Sequence, residues 1–207
     1  MNSPRPTIVG MLDLVLPEIK FMEHSNNFWK TVDGWFGDND YMIYMGAVSK
    51  YGKGAKLAEV GVWKGRSLIS ILPLAKYLHY SQIVAVDTFM GSQSELTTSH
   101  KEATTTNIRD IFESNLKSSG YLNDVMILEM ESFNGSRCFP DNYFDVIFID
   151  AEHTFDAVTN DIRNWLPKLK LGGTLVGHDW LWEPVSSAVT NSLSGIYSSD
   201  NMWWYFK

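Results

Sequence analysis

The chain has 207 residues, of which 24 are acidic, 17 are basic and 44 % are apolar. This length and apolar content suffice for one large domain with a buried core and exclude a wholly disordered chain. A formal net charge of −7 without a basic run argues against nucleic-acid binding, because phosphate recognition draws on clustered Lys and Arg. The single cysteine, Cys138, excludes an internal disulfide and favours a reducing, cytoplasmic location.

The longest apolar stretches are Ile8 to Leu16 and Ser67 to Leu78. Asp13 interrupts the first stretch, Pro73 and Lys76 interrupt the second, and both are too short to span a bilayer. The first stretch also lacks a small-residue cleavage site. We therefore expect neither a signal peptide nor a membrane partner.

Residues 1–55 look helical in pieces and are expected to form an N-terminal helical cap. From residue 56 to residue 207, short apolar runs alternate with helical patterns, which predicts βα units on a parallel sheet. The aromatic tail Met202–Phe206 predicts a closing strand antiparallel to the rest. Five buried strands are predicted, at Leu57–Gly61, Ile83–Asp87, Val125–Met130, Asp145–Asp150 and Thr174–Gly177.

The connections between the strands have signals of their own. The segment from Gly91 to Asn107 is rich in Ser and Thr and predicts a long loop, which leads into a helix near Ile108–Leu116. Apolar residues at helical spacing predict another helix, which begins after Thr154 and stops at Pro167. Leu171-Gly172-Gly173 predicts a flexible turn that returns the chain to a strand.

The most informative segment follows the first strand and reads Glu59-Val60-Gly61-Val62-Trp63-Lys64-Gly65-Arg66-Ser67. A strand that runs into glycines and then a helix forms a ligand cradle in open α/β sheets. Asp87 ends the next strand, 22 residues after Gly65, where an acidic side chain accepts hydrogen bonds from a ribose. Together these features indicate a nucleoside-containing cofactor, although the glycines alone also fit a plain strand-to-helix turn.

Sites for NAD and for S-adenosylmethionine (SAM) share this architecture, and two features favour SAM. The two glycines do not form GxGxxG, and Trp63 stands where a pyrophosphate needs bare backbone. The anion of Glu59 opposes a diphosphate but suits the ammonium and sulfonium of SAM. The candidate cofactor residues of this segment are Glu59, Gly61, Trp63, Gly65 and Ser67.

Two further strands end in acidic or imidazole side chains. Asp150 ends one of them and His178-Asp179 follows the other. Because these strands are neighbours in a doubly wound sheet, we expect the three side chains to converge beside the cofactor. Carboxylates in such a place can hold Mg²⁺, an imidazole ligand would favour Mn²⁺, and either metal would lower the pKa of a substrate hydroxyl.

With these motifs the chain resembles class I SAM-dependent methyltransferases. It looks closest to the small O-methyltransferase-like group that includes macrolide-sugar O-methyltransferases and cephalosporin-hydroxylase-like proteins. The resemblance runs from about Leu57 to Trp180 and is most specific from Phe144 onward. It implies a single domain over residues 1–207, with a Rossmann-like, doubly wound, mostly parallel seven-stranded sheet, an antiparallel C-terminal strand and an N-terminal helical cap.

The resemblance also implies roles for residues around the cofactor. Glu59, Gly61 and Gly65 would surround the methionine moiety of SAM. Asp87 would hold the ribose, and Glu131-Ser132 would lie beside the adenine.

Further roles carried over by resemblance concern the metal and the base. Asp150 and Asp179 match metal ligands of the metal-dependent members, and Asp150 also borders the cofactor. His178 falls where macrolide-type relatives have another acidic ligand, and Trp180 replaces an Asn ligand of the catechol type. His153 occupies the position of the catalytic Lys of the catechol type.

The roles of the two histidines stay open at this point. His153 is either the general base that removes a hydroxyl proton, since imidazole titrates near neutral pH, or a polar cap of the following helix. His178 is a metal ligand, an alternative base or a hydrogen-bonded residue at a strand end. Asp150, His153 and His178 are accordingly the candidate catalytic residues.

The expected activity is methyl transfer from SAM to a hydroxyl of a small molecule, such as a sugar or phenol, with metal or histidine assistance. The alternatives are an NAD(P)-dependent oxidoreductase and a SAM-binding module without turnover. The sequence leaves open whether the chain forms a homodimer. Trp63, Trp180 and Trp182 are expected to wall the acceptor pocket, whereas Trp165 is expected to cover the sheet.

Overall fold

Seven strands form one mixed sheet in the computed structural model, which describes residues 27–92 and 98–207. In chain order the strands are β1 (Lys56–Val60), β2 (Gln82–Asp87), β3 (Met126–Glu129), β4 (Phe144–Ile149), β5 (Leu169–Gly177), β6 (Tyr197–Ser199) and β7 (Met202–Phe206). Their order in the sheet is β3-β2-β1-β4-β5-β7-β6. The first five strands are parallel, and β7 is antiparallel to both β5 and β6. This confirms the predicted doubly wound α/β fold and its closing strand.

Helices cover both faces of this sheet. In the described residues they are α1 (Asp38–Ser49), α2 (Arg66–Tyr77), α3 (Thr98–Ala103), α4 (Ile108–Ser119), α5 (Ser132–Arg137), α6 (Phe155–Trp165) and α7 (Glu183–Ser192). Side chains of β1 alternate between two apolar clusters: Leu57 packs with α1, α2 and α4, whereas Ala58 and Val60 pack with α6 and α7. None of these helices is long and apolar enough to cross a bilayer.

The helix α6 forms as its sequence pattern predicts. The Thr154 hydroxyl accepts a hydrogen bond from the Ala157 N–H at 3.3 Å, which caps the first turn. Val158, Ile162 and Trp165 lie on one face and are buried against the sheet. Helical spacing of apolar residues, together with the N-cap, therefore accounts for this element.

The predicted turn at residues 171–173 is instead part of β5. The pairing with β4 shifts there, from Phe144 opposite Leu169 to Val146 opposite Thr174. A Cβ on Gly173 would lie 2.7 Å from the Leu169 side chain, so this irregular segment requires glycine. Backbone hydrogen bonds between Lys207 and the glycines at 172 and 173 pair the polar groups of this segment. Because Lys207 is distant in the sequence, the glycine pattern alone could not predict this pairing.

Two other elements differ from the sequence prediction. The segment predicted as a loop, from Gly91 to Asn107, contains α3. The strand β6, for which no position was predicted, pairs with β7, and the ring centroids of Tyr197 and Trp204 stack 5.8 Å apart. The described part of the predicted cap, residues 27–55, holds a 3₁₀ helix at Phe28–Thr31 and α1, and contains no strand. The apolar stretch from Ile8 to Leu16 lies outside the described residues.

Candidate active site

A cavity of about 790 Å³ lies at the carboxyl ends of β1, β2 and β4. The strand order reverses here, since β1 lies between β2 and β4, and doubly wound sheets bind ligands at such a switch point. Of the twelve predicted site residues, Glu59 and Gly65 do not line the cavity. The other ten do: Gly61, Trp63, Ser67, Asp87, Glu131, Ser132, Asp150, His153, His178 and Asp179.

Both glycines of the loop after β1 are required by close packing. Gly61 has a φ of +84°, and a Cβ there would lie 2.1 Å from the carbonyl oxygen of Asp150. Gly65 has a φ of +91°, and its Cβ would lie 2.8 Å from the ring of Phe112. Gly61 therefore permits the ends of β1 and β4 to meet at the cavity, whereas Gly65 serves the turn into α2.

Asp87 holds the loop after β1 in place. One carboxylate oxygen accepts hydrogen bonds from the N–H groups of Val62 and Trp63, both at 2.8 Å, and the other accepts one from Phe89 at 2.7 Å. Burial raises the pKa of Asp87, and these backbone hydrogen bonds favour the charged form. The side chain lies on the cavity wall, where its predicted contact with a ribose stays a prediction.

Glu59 lies beneath the loop, with none of its surface exposed. Its carboxyl accepts hydrogen bonds from the hydroxyls of Tyr44, at 2.8 Å, and Ser67, at 2.5 Å. Burial raises the pKa of Glu59 to about 8 despite these two donors. Glu59 is thus largely neutral at pH 7 and lacks the negative charge on which its predicted attraction to a cationic cofactor depends.

Ser132 and Asp161 form a second polar group on the cavity wall. The Ser132 hydroxyl donates to Oδ1 of Asp161 and accepts a hydrogen bond from the Trp165 indole at 2.9 Å. Burial raises the pKa of Asp161 to about 6. Sequence reasoning missed Asp161, because it is one polar residue among several on α6 and only the folded chain shows that it faces the cavity.

Asp150, His178 and Asp179, which were expected to converge, lie together after β4 and β5, and His153 joins them. We call these four side chains the acid–histidine cluster. His153 Nε2 lies 2.8 Å from Asp179 Oδ2 and 3.8 Å from Asp150 Oδ1. His178 Nδ1 lies 3.1 Å from Asp179 Oδ2 and 3.6 Å from Asp150 Oδ1. Each carboxylate therefore has two imidazoles within 4 Å.

The acid–histidine cluster contacts two further side chains that the sequence analysis missed. Asp40, in the first turn of α1, places Oδ2 3.4 Å from His178 Nε2, and Asn201 donates to Asp179 Oδ1 at 3.2 Å. Burial opposes the charged form of His178, but Asp150 and the hydrogen-bonded carboxylates outweigh it and raise the pKa to about 12. His178 is therefore an imidazolium at neutral pH.

A family model described as a methyltransferase domain matches residues 58–180, which is more than half of the chain and runs from within β1 to beyond the end of β5. The chain belongs to this methyltransferase family. The membership confirms the resemblance drawn from the motifs. A comparison with curated protein sequences finds no match.

Several solved structures share the fold of this methyltransferase. The O-methyltransferase NovP has a TM-score of 0.60 and 16 % identity, and the match covers 74 % of this chain and 72 % of NovP. Cofactor-bound Rv0187 from MTB has a TM-score of 0.58 and 12 % identity, with 97 % of each chain covered. A SAM-dependent O-methyltransferase from Thermotoga maritima has a TM-score of 0.58 and 16 % identity, with 94 % of this chain and 60 % of that chain covered. At such identities these similarities concern the fold alone.

The methyltransferase also contains a group of side chains with the chemistry of a divalent metal site. Asp150, His153 and Asp179 each offer one ligand atom, and these atoms all lie within 4.8 Å of one another. Carboxylate and imidazole donors fit a cation such as Mn²⁺, and carboxylates fit Mg²⁺. The third side chain of this group is His153, whereas the sequence suggested His178.

Aromatic side chains flank the cluster on the cavity wall. Trp182 contacts the ring of His153 edge to face, with centroids 5.0 Å apart, and Trp35 lies 66 % exposed on the cap side. The Trp63 indole N–H is buried and has no hydrogen-bond partner within the described residues. Trp180 is not among the described residues that line the cavity and packs instead with the α6 and α7 cluster.

Proposed function

We propose that this methyltransferase uses SAM to methylate a hydroxyl oxygen of a small molecule. The observation that carries the proposal is the convergence of the glycine loop, Asp87 and the acid–histidine cluster on one cavity. Family membership supports methyl transfer, and the cluster provides groups that bind a hydroxyl and take its proton. A volume of about 790 Å³ is in the range of small-molecule sites.

The charges on the cavity wall favour a cationic cofactor. Eight acidic side chains line the cavity in the described residues, Asp87, Asp150 and Asp179 among them. The cations there are fewer: Lys64, which pairs with Asp33, Arg66, which donates to backbone carbonyls, and His178, whose pKa is raised. Carboxylates on a partly enclosed wall attract a sulfonium and an ammonium and repel a diphosphate. This supports SAM over the NAD(P) alternative.

In the proposed reaction the acceptor hydroxyl attacks the methyl carbon of SAM. The O–C bond forms as the C–S bond breaks, the sulfonium becomes the neutral thioether of S-adenosylhomocysteine, and the hydroxyl proton passes to His153. His153 lines the cavity, and Asp179, 2.8 Å from its Nε2, orients the imidazole and stabilises the imidazolium that forms. His178 in turn holds Asp150 and Asp179 in position.

A divalent cation held by Asp150, His153 and Asp179 would instead supply a positive charge that lowers the pKa of the hydroxyl. The two modes predict different responses to a chelator. Histidine assistance survives EDTA, whereas metal assistance is lost and returns when Mg²⁺ or Mn²⁺ is added.

The test is a radiolabelled methyl-transfer screen over sugars and phenols, with and without EDTA. We expect His153→Ala to lower kcat by about 100-fold or more, as is typical on removal of a general base. His79→Asn is the matched control, because His79 is exposed and lies away from the cavity. If SAM binds but no acceptor is labelled under either condition, the chain is a binding module and the proposal fails.

A further inference from the structure

The loop after β1 carries a cation, Lys64, on the cavity wall. Lys64 lies between Gly61 and Gly65 and is one of the residues that line the cavity. A sphere with the volume of this cavity is about 11 Å across, which is comparable to the screening length of about 10 Å in 0.1 M salt. An unpaired ammonium at Lys64 would therefore act on a sulfonium at any position in the cavity and repel it.

Two acidic side chains offset the charge of Lys64. Its Nζ donates to Asp33 Oδ2 at 2.7 Å and to Glu102 Oε1 at 2.6 Å. Only 6 % of the Lys64 side chain is exposed, so water contributes little to its solvation. Burial opposes the ammonium, but the hydrogen bonds to the two carboxylates outweigh it and raise the pKa of Lys64. We call these three side chains the Lys64 triad, and with two carboxylates on one ammonium the triad has a net negative charge.

The members of the Lys64 triad come from separate parts of the fold. Asp33 belongs to the segment before α1, and Glu102 belongs to α3, between β2 and β3 in the chain. The backbone of Lys64 is held independently, because its carbonyl accepts a hydrogen bond from the Asn115 side chain of α4 at 2.9 Å. Neutral replacements of the two acids therefore change chiefly the charge around Nζ, and the loop retains a contact of its own.

We propose that Asp33 and Glu102 offset the charge of Lys64 and thereby shift the affinity of the cavity toward SAM relative to S-adenosylhomocysteine. The inference rests on the proposed function, in which SAM is the cofactor. The two compounds differ by one methyl group and one positive charge at sulfur, so the charge of the cavity wall acts mainly on SAM. A shift toward SAM reduces inhibition by the product that each turnover leaves in the cavity.

The experiment is calorimetric titration of the full chain with SAM and with S-adenosylhomocysteine, without an acceptor and in the presence of EDTA. In Asp33→Asn/Glu102→Gln the Lys64 ammonium loses both anionic partners, and we expect the ratio of the two affinities to shift against SAM by about threefold to tenfold. Asp38→Asn/Glu113→Gln is the matched control, because it removes the same charge from two ion pairs whose acids do not line the cavity. The control should retain the wild-type ratio.

A third substitution separates the effect of charge from a merely structural effect. Lys64→Met, added to Asp33→Asn/Glu102→Gln, removes the unpaired ammonium and should recover about half of the shift on a logarithmic scale. Damage to the shape of the loop would not be reversed by a further change. If the double variant does not fold, Asp33→Asn alone tests the inference, because the Asp33 side chain is 79 % exposed, and it should shift the ratio in the same direction.

An unchanged ratio in folded Asp33→Asn/Glu102→Gln, or in Asp33→Asn where only that variant folds, would overturn the inference. So would a Lys64→Met addition that recovers none of the shift. Failure of the proposed function looks different. In that case the wild type binds neither SAM nor S-adenosylhomocysteine.

Discussion

Glu59 and Asp87 are both carboxyl groups near the ends of adjacent strands, and burial raises the pKa of each, but they accept hydrogen bonds from different donors. Three backbone N–H groups stabilise the charge on Asp87, whereas two hydroxyls donate to Glu59 in a fully buried position. Burial raises the pKa of Glu59 to about 8. A residue that the sequence offers as an anion for the cofactor is therefore a largely neutral core group.

This state of Glu59 predicts a pH-dependent stability. The folded pKa, about 8, exceeds the ordinary value of 4.5, so the folded chain binds the proton more tightly than the unfolded chain. The contribution of Glu59 to the free energy of unfolding is fully present below pH 4.5 and is lost as the pH rises through 8. We expect the free energy of unfolding of the wild type, relative to that of Glu59→Gln, to fall by about 2–4 kcal/mol between pH 5 and pH 8.

Urea unfolding of both proteins at several pH values measures this difference without bound cofactor. Glutamine imitates the protonated carboxyl, so titration of all other groups cancels between the two proteins. Asp156→Asn serves as a control, since this exposed carboxyl should show a small and constant difference. A difference for Glu59→Gln that does not change with pH would contradict the raised pKa.

At the scale of elements, two cations join the loop after β1 to the segment before α1. Lys64 pairs with Asp33 at 2.7 Å. Arg66, the first residue of α2, donates to the backbone carbonyls of Phe36 at 2.7 Å and of Val32 at 2.5 Å. The loop after β1 therefore lines the cavity and also holds the cavity wall on the cap side.

We expect Arg66→Ala to lower the free energy of unfolding by about 2–3 kcal/mol, because buried carbonyls lose a charged donor. Arg66→Lys should recover little of this loss, since one ammonium cannot reproduce the guanidinium fork. Urea unfolding measures the stability, and hydrogen exchange of residues 28–37 measures the local effect. Exposed Lys53→Ala should change neither. Unchanged exchange in Arg66→Ala would contradict the role of Arg66 in holding this segment.

At the scale of the whole molecule, the cavity draws on segments that are far apart in the chain. Asp40 comes from the cap, His153 and His178 follow two central strands, and Asn201 comes from the turn between β6 and β7. A ligand that contacts these segments binds only the folded chain. Binding should therefore stabilise the fold as a unit.

We therefore expect S-adenosylhomocysteine, the product that SAM leaves after methyl transfer, to raise the melting temperature, Tm. At about 100 times its dissociation constant, S-adenosylhomocysteine should stabilise the fold by about 2.7 kcal/mol and raise Tm by about 5–10 °C. NAD⁺ at the same concentration should leave Tm unchanged, because the cavity wall carries carboxylates. Differential scanning fluorimetry measures both. A larger shift with NAD⁺ would favour the oxidoreductase alternative.

Much of the site was predictable, because strand ends carry its residues. Buried strands are short apolar runs, and a parallel sheet brings their carboxyl ends to one edge, so Asp87, Asp150 and Asp179 could be placed together from the sequence. Asp40 and Asn201 could not. Each is an ordinary polar residue in its own segment, and each reaches the cluster through contacts more than 20 residues away in the chain.

The sequence by itself determined the doubly wound sheet, the edge at which the cavity opens and the methyltransferase family, because these depend on local patterns of apolar runs, glycines and strand-end acids. The tertiary structure decided the protonation of Glu59 and His178, since pKa values depend on burial and on charges brought close by folding. It also decided that His153 rather than His178 completes the candidate metal group, and that Asp161 faces the cavity. Those outcomes rest on distances of a few ångströms between distant segments, which no local pattern contains.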